Sequence, residues 1–207
     1  MCPYRTLFLA LFFSFLSTLV VAQNVGDCAT SFPLCDKAFL HFKGTEGIGL
    51  AADADKVPCF VAGENYGQAE ENSTWIYFKI KDAGQLSFTI APDSTGDDLD
   101  FVVFLLPADG NCDQKKIVRC MAAGDSPKAR KSPCKGPTGL RGKEKDQEED
   151  AGCNDRDDNN WLQPLDAAAG DKYVLLVSNV TAPHGFTIRF QGSALLEPCI
   201  VEGEKKE

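Results

Sequence analysis

Three aspartates stand close together where a long apolar run begins: Asp97, Asp98 and Asp100. Because side chains on a strand alternate between its two faces, Asp98 and Asp100 are predicted to share one face. Carboxylates this close repel each other, and a hard cation such as Ca²⁺, which takes several oxygen ligands, would relieve that repulsion. The sequence therefore indicates a candidate Ca²⁺ site. The alternative is that these acids cap turns, accept backbone N–H bonds or remain solvated.

A second acidic candidate is the segment Asn154 to Asn160 (NDRDDNN). Four residues match positions 1, 3, 5 and 12 of a helix–loop–helix calcium loop: Asp155, Asp157, Asn159 and Asp166. However, Asn160 replaces the expected glycine, Pro164 interrupts the loop, and no flanking helices are predicted. The match is therefore a weak one, and a solvated polar loop is the alternative.

Catalytic constellations have little support in this sequence. His41 falls in a predicted strand and His184 at a predicted hairpin tip, and no G-x-S-x-G motif is present. Paired acids can cleave glycosides, but nothing here fixes their separation. We therefore expect no enzymatic activity. Trp75, Tyr77 and Trp161 are candidates for a sugar-stacking face, although aromatic residues on strands more often pack in a core or at its rim.

The N-terminal residues have the features of a secretory signal peptide. Arg5 supplies a basic start, Thr6 to Val21 is an apolar run, and small residues at positions 20 and 22 predict cleavage after Ala22. A transmembrane anchor is disfavoured because the run is short for a bilayer and no basic flank follows. We expect residues 1–22 to be removed and the protein to be secreted or displayed on the cell surface, with no membrane insertion after cleavage.

Cysteine usage agrees with export. Cys2 leaves with the signal peptide, and an even number of cysteines remains: Cys28, Cys35, Cys59, Cys112, Cys120, Cys134, Cys153 and Cys199. Such a set predicts four disulfides, although spacing alone allows 105 connectivities. Proximity in sequence suggests the pairs Cys28–Cys35, Cys112–Cys120, Cys134–Cys153 and Cys59–Cys199. A zinc site is disfavoured because no C-x-x-C spacing occurs.

The stretch from Glu71 to Leu106 predicts three consecutive strands separated by polar turns. In Trp75 to Ile80, the side chains of Ile76, Phe78 and Ile80 fall on one face of a predicted strand. Leu86 to Ile90 alternates between apolar and polar residues, as in a strand with one wet face. Phe101 to Leu106 (FVVFLL) is apolar on both faces. We therefore expect it to be a central strand that is covered on both sides.

Two further strands are predicted at Tyr173 to Ser178 and Phe186 to Gln191, joined as a hairpin. No segment shows helical periodicity. Several short strands with glycine and proline turns predict an all-β fold, a disulfide-bonded antiparallel β-sandwich with little helix. We expect one domain over residues 23–195, with a long polar excursion at about 122–160 and a charged tail at 196–207.

Several motifs occur in an order that resembles a known module: ENSTW, FTI, DDLDFVVF, VRC, GPTGL, AGDKYVLLVSN and GFTIRFQG. The order is similar to that of a secreted β-sandwich module in surface proteins of Bacteroidetes, which often precedes gliding-motility-associated or type nine secretion sorting domains. The resemblance covers roughly Cys28 to Ser193. It implies binding or adhesion without supplying a ligand.

The architecture more distantly resembles CUB and pre-peptidase C-terminal domains, so a jelly-roll or CUB-like sandwich is implied. In CUB domains, a strand-opening Asp joins a Glu from an earlier loop to hold Ca²⁺. The resemblance implies that Glu71 is that Glu, which gives a site of four acids: Glu71, Asp97, Asp98 and Asp100.

Two functional hypotheses remain open. The first is a secreted or cell-surface, non-catalytic binding or adhesion module for an extracellular protein or glycan, with Ca²⁺ stiffening its loops. The second is an envelope structural or assembly component with a protein partner and no small ligand. The formal net charge of −9 disfavours contact with phosphate backbones, so nucleic acid is not an expected partner.

Overall fold

The computed structural model describes residues 25–36, 39–54, 57–61, 70–124, 134, 136–153 and 158–199. The predicted signal peptide, residues 154–157 of the second calcium candidate and residues 200–207 of the tail lie outside these ranges. Within them, no helix has the length and apolar character needed to cross a membrane.

Strands dominate the described residues, so the predicted all-β class is confirmed. In chain order they are β1 (Phe32–Pro33), β2 (Phe39–Phe42), β3 (Ser73–Asp82), β4 (Gly84–Pro92), β5 (Leu99–Leu106), β6 (Lys116–Met121), β7 (Thr138–Leu140), β8 (Glu148–Glu149), β9 (Trp161–Leu162), β10 (Leu165–Ala167), β11 (Lys172–Asn179), β12 (Phe186–Gly192) and β13 (Leu195–Leu196). Among the described residues, helix is limited to one α-helical turn before β3, α1 (Pro58–Val61), and two 3-10 turns, Cys28–Thr30 and Cys112–Gln114.

The strands form two sheets. Sheet A has the order β1-β3-β11-β5-β6-β8, with β13 also pairing with β3; sheet B has the order β2-β12-β4-β7-β9, with β10 also pairing with β4. The long strands pair antiparallel, as predicted. The short pairs β1/β3, β6/β8 and β7/β9 are parallel, so both sheets are mixed. The predicted β-sandwich fits this arrangement, while the jelly-roll or CUB-like assignment stays a prediction.

The core between the sheets is built from the alternating residues of both. Phe88 from sheet B meets Phe101 from sheet A edge-to-face, with ring centroids 5.3 Å apart. Phe78 and Phe190 make a similar contact at 5.3 Å. These four rings are almost completely buried, so the period-two pattern identified the inward faces correctly. Burying side chains of this size stabilises the fold by roughly 1.5–3 kcal/mol each.

The outer face of sheet A is covered by a second apolar layer. The other face of β5 supplies Val102, Phe104 and Leu106, which pack with residues of the N-terminal segment, including Phe60. The ring of Trp75 stacks on that of Phe104, with centroids 5.7 Å apart. The prediction that FVVFLL is covered on both sides is therefore confirmed. Because Trp75 belongs to this buried layer, it is not available to a sugar-stacking face.

Four disulfides join the eight cysteines, and one predicted pair, Cys134–Cys153, is confirmed. The other three predicted pairs are wrong: the structure pairs Cys28–Cys112, Cys35–Cys199 and Cys59–Cys120. Cys112 and Cys120 are held apart because most of the chain between them is the extended strand β6, which rises about 3.3 Å per residue. Cys120 instead faces the covering layer that contains Cys59.

Both edges of the domain meet at β3. Leu34, just after β1, donates its N–H to the carbonyl of Tyr77, and Glu197, just after β13, donates its N–H to the carbonyl of Lys79. This arrangement brings Cys35 to Cys199. The described part of the predicted polar excursion at 122–160 contributes β7 to sheet B and β8 to sheet A. The predicted domain bounds stay a prediction.

Candidate functional site

The β4–β5 turn ends in the aspartates singled out by the sequence, and the structure separates them. The side chain of Leu99 enters the inter-sheet core, so Asp98 and Asp100 on either side of it share the opposite face, as predicted. This is the face of sheet A that carries Val102 and Phe104. Asp97 is buried against the β11–β12 hairpin, where it contacts Asn179.

The neighbouring strand β11 brings Glu71 to this cluster. Asp100 is paired with Ser178 of β11. The hydroxyl of Ser178 accepts the N–H of Glu71 at 2.9 Å and donates to its carbonyl oxygen at 2.8 Å. Next to it, the Asn72 side chain donates to the carbonyl of Asn179 at 2.8 Å, and Asn72 adopts φ 45°. The left-handed residue thus turns the chain into β3 while Glu71 is held at the end of β11.

The carboxyl group of Asp100 is the most unusual feature of this cluster. The residue is 9% exposed, and its Oδ1 atom is buried without a hydrogen-bond partner. Burial raises the pKa of Asp100 well above its ordinary value, and the nearby carboxylates of Asp98 and Glu71 raise it further. A buried carboxylate needs a compensating partner, so this group requires either a proton or a cation.

The donor set suits a hard cation better than a transition metal. Glu71, Asp98 and Asp100 offer only carboxylate oxygens, which are preferred by Ca²⁺ and Mg²⁺, whereas Cu²⁺ and Zn²⁺ favour nitrogen and sulfur. Over the described ranges, however, no three His, Cys, Asp or Glu side chains converge closely enough to hold a metal ion. The carboxylate of Asp98 lies against Gly124. Ligation would therefore require Glu71 and Asp98, both half-buried, to turn toward Asp100.

Asp97, the fourth predicted ligand, has other partners. Its Oδ2 atom accepts a hydrogen bond from Nδ2 of Asn179 at 2.9 Å and lies 3.0 Å from Nδ1 of His184. Asn179 also donates to the His184 carbonyl at 3.3 Å and accepts the N–H of Thr181 at 3.2 Å. Asp97 thus ties the β4–β5 turn to the β11–β12 hairpin. The predicted set of four is divided into a cluster of three and one clamping residue.

The second calcium candidate lies partly outside the described residues. Asn159 uses its side chain within the local fold: Nδ2 donates to Glu144 at 3.0 Å and Oδ1 accepts the N–H of Trp161 at 3.0 Å. Asn160, at φ 68°, donates its N–H to Glu149 at 3.2 Å. Asp166 lies in β10, opposite Gln85 of sheet B. The described part of this segment is therefore held by hydrogen bonds to Glu144 and Glu149, which precede it in the chain.

Sequence reasoning missed Asp27, which is buried and accepts the N–H groups of Leu50 and Ala51. It also missed two buried acids in polar runs, Glu70 and Glu149. Glu70 accepts Nε1 of Trp75 at 2.9 Å and the N–H of Ala54 at 3.1 Å. Glu149 accepts two backbone N–H groups, and burial raises its pKa to about 7. Both acids occur in polar runs without apolar periodicity, so no local signal marked them as buried.

Comparisons with known proteins leave the family open. No protein-family model matches the chain, and no curated protein matches it. Among solved structures, the chain is similar to CorA, a surface-associated copper-binding protein important in copper acquisition by Methylomicrobium album BG8. The TM-score is 0.39 at 9% sequence identity, over 79% of this chain and 98% of that one. A likeness this distant assigns neither a ligand nor a role, and the Bacteroidetes resemblance stays a prediction.

Proposed function

We propose that this protein is an extracellular, non-catalytic binding module whose loop end is stabilised by Ca²⁺ bound at Glu71, Asp98 and Asp100. The observation that carries the cation proposal is the buried Oδ1 atom of Asp100, which has no hydrogen-bond partner. Two further carboxylates lie close enough to raise the pKa of this group. A cation would replace the missing partner and remove the mutual repulsion of the three acids.

Proton and cation compete for Asp100 in this proposal. Without a cation, burial favours the protonated carboxyl and raises the pKa of Asp100 above its ordinary value, since the neutral form is cheaper to bury. A bound cation favours the ionised form and displaces the proton, so Ca²⁺ binding is coupled to pH. Asn at position 100 imitates the protonated form in shape while removing the charge that a cation needs.

The three acids come from separate parts of the chain. Glu71 lies just before β3, Asp98 belongs to the β4–β5 turn, and Asp100 lies in β5, next to β11. A cation shared by these side chains would link two loops to the centre of sheet A. It would restrict the loop end, by which we mean the end of the sandwich that carries the β4–β5 turn and the β11–β12 hairpin, without contacting the sandwich core. This role is stabilising and requires no reaction.

The disulfides support an extracellular location. Four bonds join cysteines that are between 19 and 164 residues apart. Disulfides of this number persist in oxidising compartments, outside the cytosol. The apolar N-terminal run of the sequence, which we interpret as a signal peptide, supports the same location.

Calorimetric titration of the disulfide-bonded protein with Ca²⁺ tests the cation proposal. We expect one Ca²⁺ per chain and a higher Tm in excess Ca²⁺, because an ion that binds only the folded state stabilises it. Asp100→Asn should lose both the heat and the Tm shift. Asp93→Asn is a matched control, since Asp93 lies in the same turn but is paired with His41 at 2.8 Å.

Two results would overturn the site. The first is wild-type protein that gives no heat and no Tm shift with Ca²⁺. The second is Asp100→Asn protein that folds and still binds Ca²⁺ as the wild type does, because the ion would then lie elsewhere.

A further inference from the structure

The two outer faces of the sandwich differ. The outer face of sheet A is covered by the N-terminal segment, whose residues join its apolar side chains in one cluster. The outer face of sheet B instead carries exposed or half-buried side chains, including Phe39, His41, Thr89 and Arg189. Within the described ranges, this second face therefore presents accessible side chains to a ligand.

Strand register aligns one residue from each of five strands across this open face. Phe39 of β2 is opposite Arg189 of β12, which is opposite Thr89 of β4. Thr89 is opposite Gly139 of β7, and Gly139 is opposite Trp161 of β9. We call these five residues the cross-strand row. Four strand spacings separate its ends, about 19 Å in total.

Each end of the cross-strand row pairs an aromatic ring with a guanidinium group. Phe39 is 59% exposed, and the guanidinium of Arg189 lies 5.5 Å from its ring centroid. At the other end, the guanidinium of Arg141 lies 4.8 Å from the ring of Trp161. Arg141 also forms an ion pair with Glu144 at 2.6 Å. Stacking of this kind holds both rings and cations in defined positions.

The middle of the row has no side chain on β7, and Gly139 itself is buried. Gly139 has φ 143°, and a Cβ atom there would clash with the carbonyl oxygen of Phe88, so a side chain is excluded at this position. The neighbouring outward residues of β4 and β12 are small or polar, such as Ala91 and Thr187. A ligand that spans the row would therefore contact the aromatic side chains at its two ends and Thr89 with its neighbours between them.

We propose that the cross-strand row binds an extended oligosaccharide that carries carboxylate groups. The apolar C–H face of a sugar ring is attracted to the negative face of an aromatic ring, which Phe39 and Trp161 supply. Guanidinium groups bind carboxylates with two parallel hydrogen bonds, and Arg189 and Arg141 are placed beside the two rings. Hydroxyl groups such as that of Thr89 can bond to sugar hydroxyls.

A protein ligand fits this face less well. A protein interface has an apolar centre and a polar rim, whereas this row has its aromatic rings at its two ends and no apolar side chain in its middle. The inference rests on the proposed extracellular binding role and does not depend on Ca²⁺.

Binding of oligogalacturonate fragments, measured by calorimetry with and without a chelator, tests this inference. We expect the fragments to bind to the wild type. After reduction of their carboxyl groups, the same fragments should bind roughly tenfold more weakly. Phe39→Ala and Arg189→Gln should each weaken binding roughly fivefold or more. Leu195→Ala is the matched control, because Leu195 is an exposed apolar strand residue of sheet A, 47% exposed, and its loss should change nothing.

Three outcomes would overturn the inference: no binding of the fragments, equal binding of the neutral form, or undiminished binding in both Phe39→Ala and Arg189→Gln. Capture of a protein partner that Phe39→Ala disrupts, with no oligosaccharide bound, would also overturn it. Asp100→Asn separates the two proposals. If this variant loses Ca²⁺ binding but still binds the sugar, the oligosaccharide site does not depend on the cation. If the wild type binds Ca²⁺ but not the sugar, only the oligosaccharide proposal is rejected.

Discussion

The carboxylate of Asp97, whose side chain is 3% exposed, lies 3.0 Å from Nδ1 of His184. The two residues are 87 positions apart in the chain. Together with Asn179, they attach the β4–β5 turn to the β11–β12 hairpin and therefore connect sheet A to sheet B at the loop end. This clamp lies next to the acidic cluster and positions the turn that contains Asp98.

Removal of the Asp97 carboxylate should destabilise the protein more than removal of the histidine. Asp97→Ala removes the shorter of the two hydrogen bonds donated by the buried Asn179 amide and leaves only the one to the carbonyl of His184, and we expect a loss of about 2–3 kcal/mol in the free energy of unfolding. His184→Ala should cost about 1 kcal/mol or less, because the side chain of His184 is 55% exposed. Urea unfolding measures both values. Equal losses would show that the ion pair, and not the buried amide, supplies the stability.

Glu149 should make stability depend on pH. Burial raises its pKa from 4.5 to about 7, so the folded state keeps a proton that the unfolded state has already lost. The contribution of this residue is fully present below about pH 4.5 and is lost as pH rises to about 7. We expect a loss of about 2–3 kcal/mol over this range.

Glu149→Gln should remove this pH dependence from the free energy of unfolding. The stability of the variant relative to the wild type should rise between pH 4.5 and 7 and then level off. Glu148→Gln is the control, since Glu148 is exposed in the same short strand. Unfolding free energies measured across this pH range decide the matter, and parallel curves for wild type and Glu149→Gln would refute the assignment.

The disulfide between Cys35 and Cys199 should hold the edge of sheet A. It closes 164 residues, and both flanking segments lie along β3. Replacement of both cysteines by alanine should lower stability by roughly 3–5 kcal/mol and increase hydrogen exchange in β1 and β13 first. Replacement of Cys134 and Cys153, 19 residues apart, should leave exchange in β1 unchanged. Equal protection of β1 in both variants would contradict this role.

The sequence was sufficient for features that depend on local periodicity. The two-sided apolar pattern of β5 predicted a strand covered on both sides, and the spacing of Asp98 and Asp100 predicted a shared face. Both statements follow from the alternation of side chains along a strand, so they require no knowledge of the partner strands.

Features that depend on distant pairing were not predictable in the same way. Glu71 reaches Asp100 through Ser178, a residue 107 positions away, and the cross-strand row depends on the register of β2 with β12. Three of the four predicted disulfide pairs were wrong for this reason, because proximity in sequence does not show which strands share an edge. Asp97 was grouped with its sequence neighbours, although its partners lie on the β11–β12 hairpin.

The protonation state of Asp100 tests the central claim most directly. Carbon-13 NMR of its carboxyl carbon, assigned by comparison with Asp100→Asn, can follow the titration with and without Ca²⁺. We predict that the pKa of Asp100 lies well above its ordinary value in Ca²⁺-free protein and falls when Ca²⁺ is added, with release of a proton. A carboxyl that titrates in the ordinary range, or whose titration Ca²⁺ does not change, would contradict the account.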